Sequence, residues 1–384
     1  MRNFNSAWIS FFMITLIISC GPKQEKIERY MKNGVEVIVN HLEPYRIEGE
    51  PNTLQLEEEF TIDTEKDHVA ERGLVDIDKF YLNSKGNIYC LYEKSRENCI
   101  FKFGNNGDFV DAFGRRGQGP GELSPLSAMS INNHDEIIIQ NIFQPKLIIL
   151  SSDGNLIHEI PSPPNLPDIK QMENENYFAY GTSWSGPGTG QMVWSILSPE
   201  FEKIKDIEKQ GIQGDGSKFV YERHVSYATE KNIYIGKKNQ PYEVWVYDSE
   251  GDLKRIIKKD YEPIKISDDY IKERIKAREE MEKKGRKPPP VKLYFPEYWP
   301  AFYELFADET GWLFVMTYER SGNPREFVYD IFNPDGIFIG KMNLDNYRGK
   351  YNPFPAKAKN NRIYCIREKE SGYKELVVYK MKWE

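Results

Sequence analysis

Histidine is scarce in this chain. It occurs five times in 384 residues, at His41, His68, His134, His158 and His224. No two of them have the H-E-x-x-H spacing that sets two ligands on one helical face. No G-x-S-x-G nucleophile elbow appears either. No metal and no cofactor is therefore expected, and the catalytic residues, if there are any, are unidentified. Carboxylates are the opposite case: Asp and Glu number 59, too many to single out an acid–base pair. An excess of positive charge is also missing. The net charge is −7 and the isoelectric point about 5.6, which disfavours nucleic acid as a partner. Cysteine occurs four times, too seldom for a disulfide scaffold. Long apolar runs are confined to the extreme N-terminus.

That terminus reads as an export signal. Arg2 gives a short basic region, Trp8 to Ile18 is apolar, and Leu16–Cys20 closes it with the sequence LIISC. The run is short for a membrane span and stands where signal peptides stand. A small residue directly before a cysteine resembles the bacterial lipobox, in which that cysteine is diacylated and becomes the first residue of the mature chain. Cys20 is accordingly the expected lipidation site, and the membrane, reached through that lipid, is an expected partner. Gly21 is not Asp, so the Asp-type signal for inner-membrane retention is lacking. The expected location is the cell envelope, on the outer membrane, with the face left open. Residues 21–53 are charged and poor in apolar residues, and are expected to act as a tether and N-terminal extension.

What the rest of the chain has in abundance is a repeated phrase: an apolar strand, a tight polar turn ending in glycine, and an alternating strand. It reads CIFKFGNNGDFVDAF at Cys99–Phe113, KLIILSSDGNLIHEI at Lys146–Ile160, EVWVYDSEGDLKRII at Glu243–Ile257 and FVYDIFNPDGIFIGKM at Phe327–Met342. A weaker copy at Met192–Ile207 has lost its glycine. The turn positions Gly107, Gly154, Phe201, Gly251 and Gly336 are 47, 47, 50 and 85 residues apart. A period in the forties with strand content marks a propeller blade. Each phrase follows another strand with its own Gly or Asn turn, such as LNSKGNIYCLYEK at Leu82–Lys94, so each unit reads as four antiparallel strands.

Six such units span about 74–114, 123–161, 165–208, 221–258, 299–343 and 351–384. The expected fold is all-β: a six-bladed β-propeller of four-stranded antiparallel blades over residues 54–384. The last unit lacks its outermost strand. Leu54–Thr64 is expected to supply it, because closing the ring removes an exposed sheet edge. Gly34–Asn40 is expected to pack at the same seam. Aromatic residues make up 14% of the chain, a supply that packed sheets need as filler. The long fourth step holds an insertion at about 262–297, where Ser267 and two aspartates cap a charged helix that Gly285 ends. That helix reads as a lid or docking element, or as a solvated decoration.

The segment DAFGRRGQGPGE at Asp111–Glu122, after GNIYCLYEKSRENCIFKFGNNGDFV, resembles the six-bladed β-propeller lipoproteins of Bacteroidetes, which are related to NHL-repeat propellers. The resemblance covers roughly residues 35–384 and departs in the third unit, where SWSGPGTGQM replaces a short hairpin. It implies the fold and the lipid anchor and no particular activity. Metal lyases on NHL-type propellers need several histidines around the channel, and the five here are scattered.

Two loop groups are candidates for binding. In Gly114–Glu122, Arg115 and Arg116 could hold a carboxylate or phosphate, with Gln118 and Glu122 beside them; the alternative is a structural crossing between blades. Trp184, Tyr298 and Trp299 stand next to Gly and Pro, where exposed rings can stack on a sugar or grip a peptide; the alternative is that they seal a seam. Cys90 and Cys365 hold equivalent places in IYCLY and IYCIR, which suggests a small core position. Cys90 and Cys99 are either bridged across a hairpin or two free buried thiols. The leading expectation is a binding or scaffold module for a protein, peptide or glycan ligand, without catalysis. The other is a hydrolase or lyase acting on a polysaccharide or peptide through channel-lining residues.

Overall fold

Short β-branched and aromatic strands with polar turns pair locally, and here each run of four builds one sheet. A computed structural model describes residues 27–124, 128–141, 146–162, 168–186, 189–213, 223–238, 241–285, 294–348 and 353–384. The lipidation candidate Cys20 lies outside them. Six sheets follow one another along the chain, each a meander of antiparallel strands. Their inner strands are Lys79–Leu82, Ala128–Ile131, Asp168–Gln171, Val225–Ala228, Glu304–Ala307 and Ala356–Lys359. These define blades one to six of a propeller.

The ring closes as the missing strand of the last repeat requires. Leu54–Asp63 pairs antiparallel with Lys374–Trp383, and Val378 lies opposite Phe60. Blade six is thus made of three C-terminal strands and one N-terminal strand, and Lys374–Trp383 is paired on both sides instead of forming the sheet edge. Gly34–Asn40 behaves otherwise than expected. Val35–Asn40 does not join the closing seam but runs parallel to Leu253–Lys259 on the outer edge of blade four. Glu28–Lys32 pairs beyond it, making a six-stranded sheet. The buried side chain of Asn40 explains the choice. Its amide donates to the carbonyls of Lys258 (3.1 Å) and Gly336 (3.0 Å), and its oxygen accepts from the Phe338 amide (2.8 Å). Residues 28–53, part of the expected tether, therefore run along the outside of blades four to six.

The core lies between neighbouring sheets, not within one. Phe306, Phe314, Tyr329 and Ile339 of blade five pack on Ala358, Ile363 and Val377 of blade six. Cys90 and Cys365 are both fully buried, each in the packing between its own blade and the preceding one. Cys99 is buried and free as well. The strand register pairs Cys90 with Phe101, while Tyr92 bonds to Cys99, because the turn spans residues 93–98 and not Lys94-Ser95 alone. No Cys90–Cys99 bridge forms.

The insertion carries the expected helix at Asp268–Lys283, where the Ser267 side chain accepts from the Tyr270 amide. A second helix, of four residues at Asp67–Ala70, had no signal in the repeat. Blade three has the longest strands, Tyr177–Gly186, Thr189–Leu197 and Lys203–Gln213, which explains its irregular repeat.

Candidate functional site

All inner strands of a closed meander ring run the same way. One face of the ring therefore carries the links between blades and the second-to-third turns. The other carries the first hairpin turns. The sequence candidates lie on the link face.

Arg115 is exposed, with Glu97 and Glu122 carboxylates at 3.9 and 3.8 Å. Glu122 accepts from the Gly119 amide at 2.9 Å, so it holds the glycine-rich loop in shape. Arg116 is half-buried and lines a small void beside Cys99 and Leu123. Gln118 is exposed. Tyr298 is exposed, at 45%. Trp299 is not a surface ring: it is buried to 9% exposure, stacked on Tyr318 at 4.5 Å and edge-on to Tyr270 at 4.8 Å. Its large apolar area is better satisfied under the insertion helix than in water. Trp184 stands near the end of the blade-three strand Tyr177–Gly186, and its side chain lies outside the described part. The structure does not bring these residues together into one pocket.

Deeper under the link face of blades four and five lie buried charges. Lys237 pairs with Glu208 and sits 4.1 Å from the centre of the Trp245 ring. Burial pushes the Lys238 ammonium down to about 8, partly offset by Glu304. The Glu304 carboxyl is raised, chiefly by its own burial. His224, stacked on Trp194 at 5.8 Å, is pushed down to about 4 by burial and by Lys237.

A cavity occupies the centre of the ring, toward the first-turn face. It encloses about 190 Å³, and every blade contributes to its wall. Blade one supplies Tyr81, blade two Ser130, blade three Lys170 and Tyr180. Blade four supplies Tyr227, Thr229 and Glu230; blade five Glu309; blade six Lys357 and Lys359. The alternation of each inner strand determines this: one side of the strand is held in the sheet packing and the other meets the axis.

The cavity chemistry is that of ammonium groups among rings and hydroxyls. Lys359 faces the Glu230 carboxylate at 3.9 Å. Lys357 sits 4.4 Å from the centre of the Tyr81 ring, a cation–π contact. Lys170 is half-buried, like the other two lysines. Burial pushes its pKa down to about 8, Lys359 adds to the shift, and Glu230 opposes it. Such a set can neutralise an anion, donate hydrogen bonds and stack against a ring. Among the described residues no group of three His, Cys, Asp or Glu is placed to hold a metal ion.

Sequence reasoning missed these residues because each stands alone in its repeat. Their common signal was position: Tyr81, Ser130, Lys170, Tyr227 and Lys357 all fall on the first strand of their units.

No curated protein matches the sequence. Among solved structures, a protein of Bacteroides fragilis described as exported is 14% identical, with a TM-score of 0.51, over 90% of this chain and 99% of that one. A DUF4221 family member from Bacteroides vulgatus is 11% identical, with a TM-score of 0.47, over 87% of this chain and 100% of that one. A gluconolactonase from Xanthomonas campestris is 8% identical, with a TM-score of 0.39, over 86% and 96%. At these identities the likeness is one of fold. The family match is direct: residues 74–320, from the first blade into the fifth, fit the model of a 6-bladed β-propeller family, and the chain belongs to that family, DUF5128.

Proposed function

We propose that this protein is an exported, lipid-anchored propeller that binds a ligand in its central channel and does no chemistry on it. The observation that carries the reading is the convergence of lysine, tyrosine and hydroxyl side chains from five of the six blades, with Glu309 from blade five, on one cavity. A cavity with a few convergent polar groups is the default ligand site of a folded domain. The ligand is a glycan fragment or peptide end small enough to enter it, or the exposed part of a protein partner. Export and anchoring rest on the Leu16–Cys20 segment, and a fold relative in Bacteroides fragilis is described as exported. The kinship with NHL-repeat propellers and the outer-membrane location belong to the same proposal.

A thermal-shift screen of the full chain against sugars, sugar acids and short peptides tests the binding reading. A hit whose shift disappears in Lys359→Met supports it. A hit unchanged by that substitution moves binding to the link face, and Arg115→Ala and Tyr298→Ala then map it. Anchoring is tested by detergent phase partition: Cys20→Ser is expected to move the protein from the detergent to the aqueous phase, and no movement sinks the lipid proposal.

One observation favours a second reading. A lysine pushed down to about 8 in a cleft is a candidate base or nucleophile. On that reading the protein is a hydrolase or lyase acting through the channel, and turnover of a screened ligand that Lys170→Arg abolishes would establish it.

A further inference from the structure

Among the described residues, the cavity wall holds three lysines, Lys170, Lys357 and Lys359, and two glutamates, Glu230 and Glu309. The other ionisable groups among these described lining residues are tyrosines, neutral near pH 7. One positive charge is therefore in excess. Two of the lysines are accounted for: Lys359 faces Glu230, and Lys357 lies over the Tyr81 ring. Lys170 is not. Its ammonium makes no hydrogen bond or ion pair among the described residues, and the charges nearest it are the cation Lys359 and the carboxylate Glu230. Lys170 is half-buried on the cavity wall, and a partly desolvated ammonium without an acceptor gains when an anion joins it. The Glu309 carboxylate on the far wall is engaged elsewhere, accepting from the Asn360 amide at 2.7 Å.

We infer that the channel takes a small hydroxylated monocarboxylate, of the sugar-acid type, with its carboxylate seated between Lys170 and Lys359. This deepens the binding reading and rests on it. A single negative charge balances the wall, whereas the dianion of a phosphate ester overshoots it. The hydroxyls of Ser130, Thr229 and Tyr180 and the ring of Tyr227 line the remaining space, which suits a polyol body with one apolar face. Glu230 competes with the ligand for Lys359 and so limits its affinity. Lys170 loses its charge as pH rises through about 8, so affinity is expected to fall there. The other groups facing it are Tyr81, Tyr180, Glu230, Glu309, Lys357 and Lys359.

Isothermal titration of the full chain with D-glucuronate, D-glucose and D-glucose 6-phosphate tests this. Glucuronate is expected to bind at least about tenfold more tightly than glucose, a difference of about 1.4 kcal/mol. Lys170→Met is expected to lose that advantage and Lys170→Arg to keep most of it. Glu230→Gln is expected to bind glucuronate several-fold more tightly, a gain that misfolding cannot produce. Equal binding of glucose and glucuronate overturns the inference and leaves channel binding standing. Tighter binding of the phosphate ester overturns the choice of carboxylate. Binding of none of the three probes overturns the inference, while the thermal-shift screen decides the binding reading separately.

Discussion

At the residue scale, the repeated turn glycine has two physical reasons, and only one is visible in the sequence. The turn needs a positive φ, and Gly107, Gly154, Gly251 and Gly336 have values of +74° to +87°. The second reason is contact with the preceding blade. A Cβ on Gly107 would lie 2.6 Å from Phe60, and one on Gly154 2.4 Å from Phe113. On Gly251 and Gly336 it would meet Ile207 and Ile257 at 2.6 and 2.9 Å. Each turn thus nests on the outer strand of its neighbour. Blade three keeps the backbone and not the glycine: Phe201 has φ +63° and stacks on Tyr177 at 4.6 Å. Gly154→Ala is expected to cost about 2–4 kcal/mol, from left-handed strain and overpacking together. The urea midpoint would show it, and Phe113→Leu in the same chain should recover part.

His224 gives a pH dependence at the same scale. Its ring is buried and Nδ1 has no partner among the described residues. The folded pKa lies below the unfolded value, down to about 4. Stability from this group is therefore complete above about pH 6.5 and is lost as pH falls towards 4. The loss should be on the order of 2 kcal/mol after solvent screening. His224→Gln should flatten unfolding free energy over that window; an unchanged slope would remove His224 as its source.

At the element scale, the insertion helix was legible in detail. Ser267, the two aspartates after it and Gly285 at φ +72° set its ends by local chemistry. What the sequence could not show was its seat. Only Tyr270 of the helix is buried, among Ile266, Trp299, Phe295 and Tyr318. Trp299 looked like a surface ring because it follows a proline-rich stretch, yet its stacking partner Tyr318 comes from blade five. The helix is thus attached at one end. Ser267→Ala should weaken its first turn by about 1 kcal/mol, raising amide exchange there about fivefold, while the global unfolding midpoint stays put. A matching fall in the global midpoint would show that the helix belongs to the ring's cooperative unit.

At the scale of the whole molecule, ring closure holds the six blades as one body. Leu54–Asp63 completes blade six, and Asn40 ties the outer edge of blade four to blade five. Removing residues 27–63 would leave Lys374–Trp383 as an open edge strand with the fully buried Leu376, Val377 and Val378 in its middle. Such an edge pairs with other chains. The truncated protein is expected to elute as oligomers in size-exclusion chromatography; a well-folded monomer would show that closure is dispensable.

The sequence by itself determined the blade number, the four-stranded unit, the closing strand and the helix. Each of these is written in local pattern: alternation, turn glycines, a cap, or a strand missing from the last repeat. Only the tertiary structure decided which residues share a site. Lys170, Lys359 and Glu230 come from three blades and are 60 to 189 positions apart in the chain, so no local spacing links them. The loops that looked functional, Gly114–Glu122 and the one holding Tyr298 and Trp299, drew notice through composition, which reports backbone freedom and apolar area but not what lies opposite. It took closure of the ring to turn six unremarkable inner strands towards one axis and to leave an ammonium there without an acceptor.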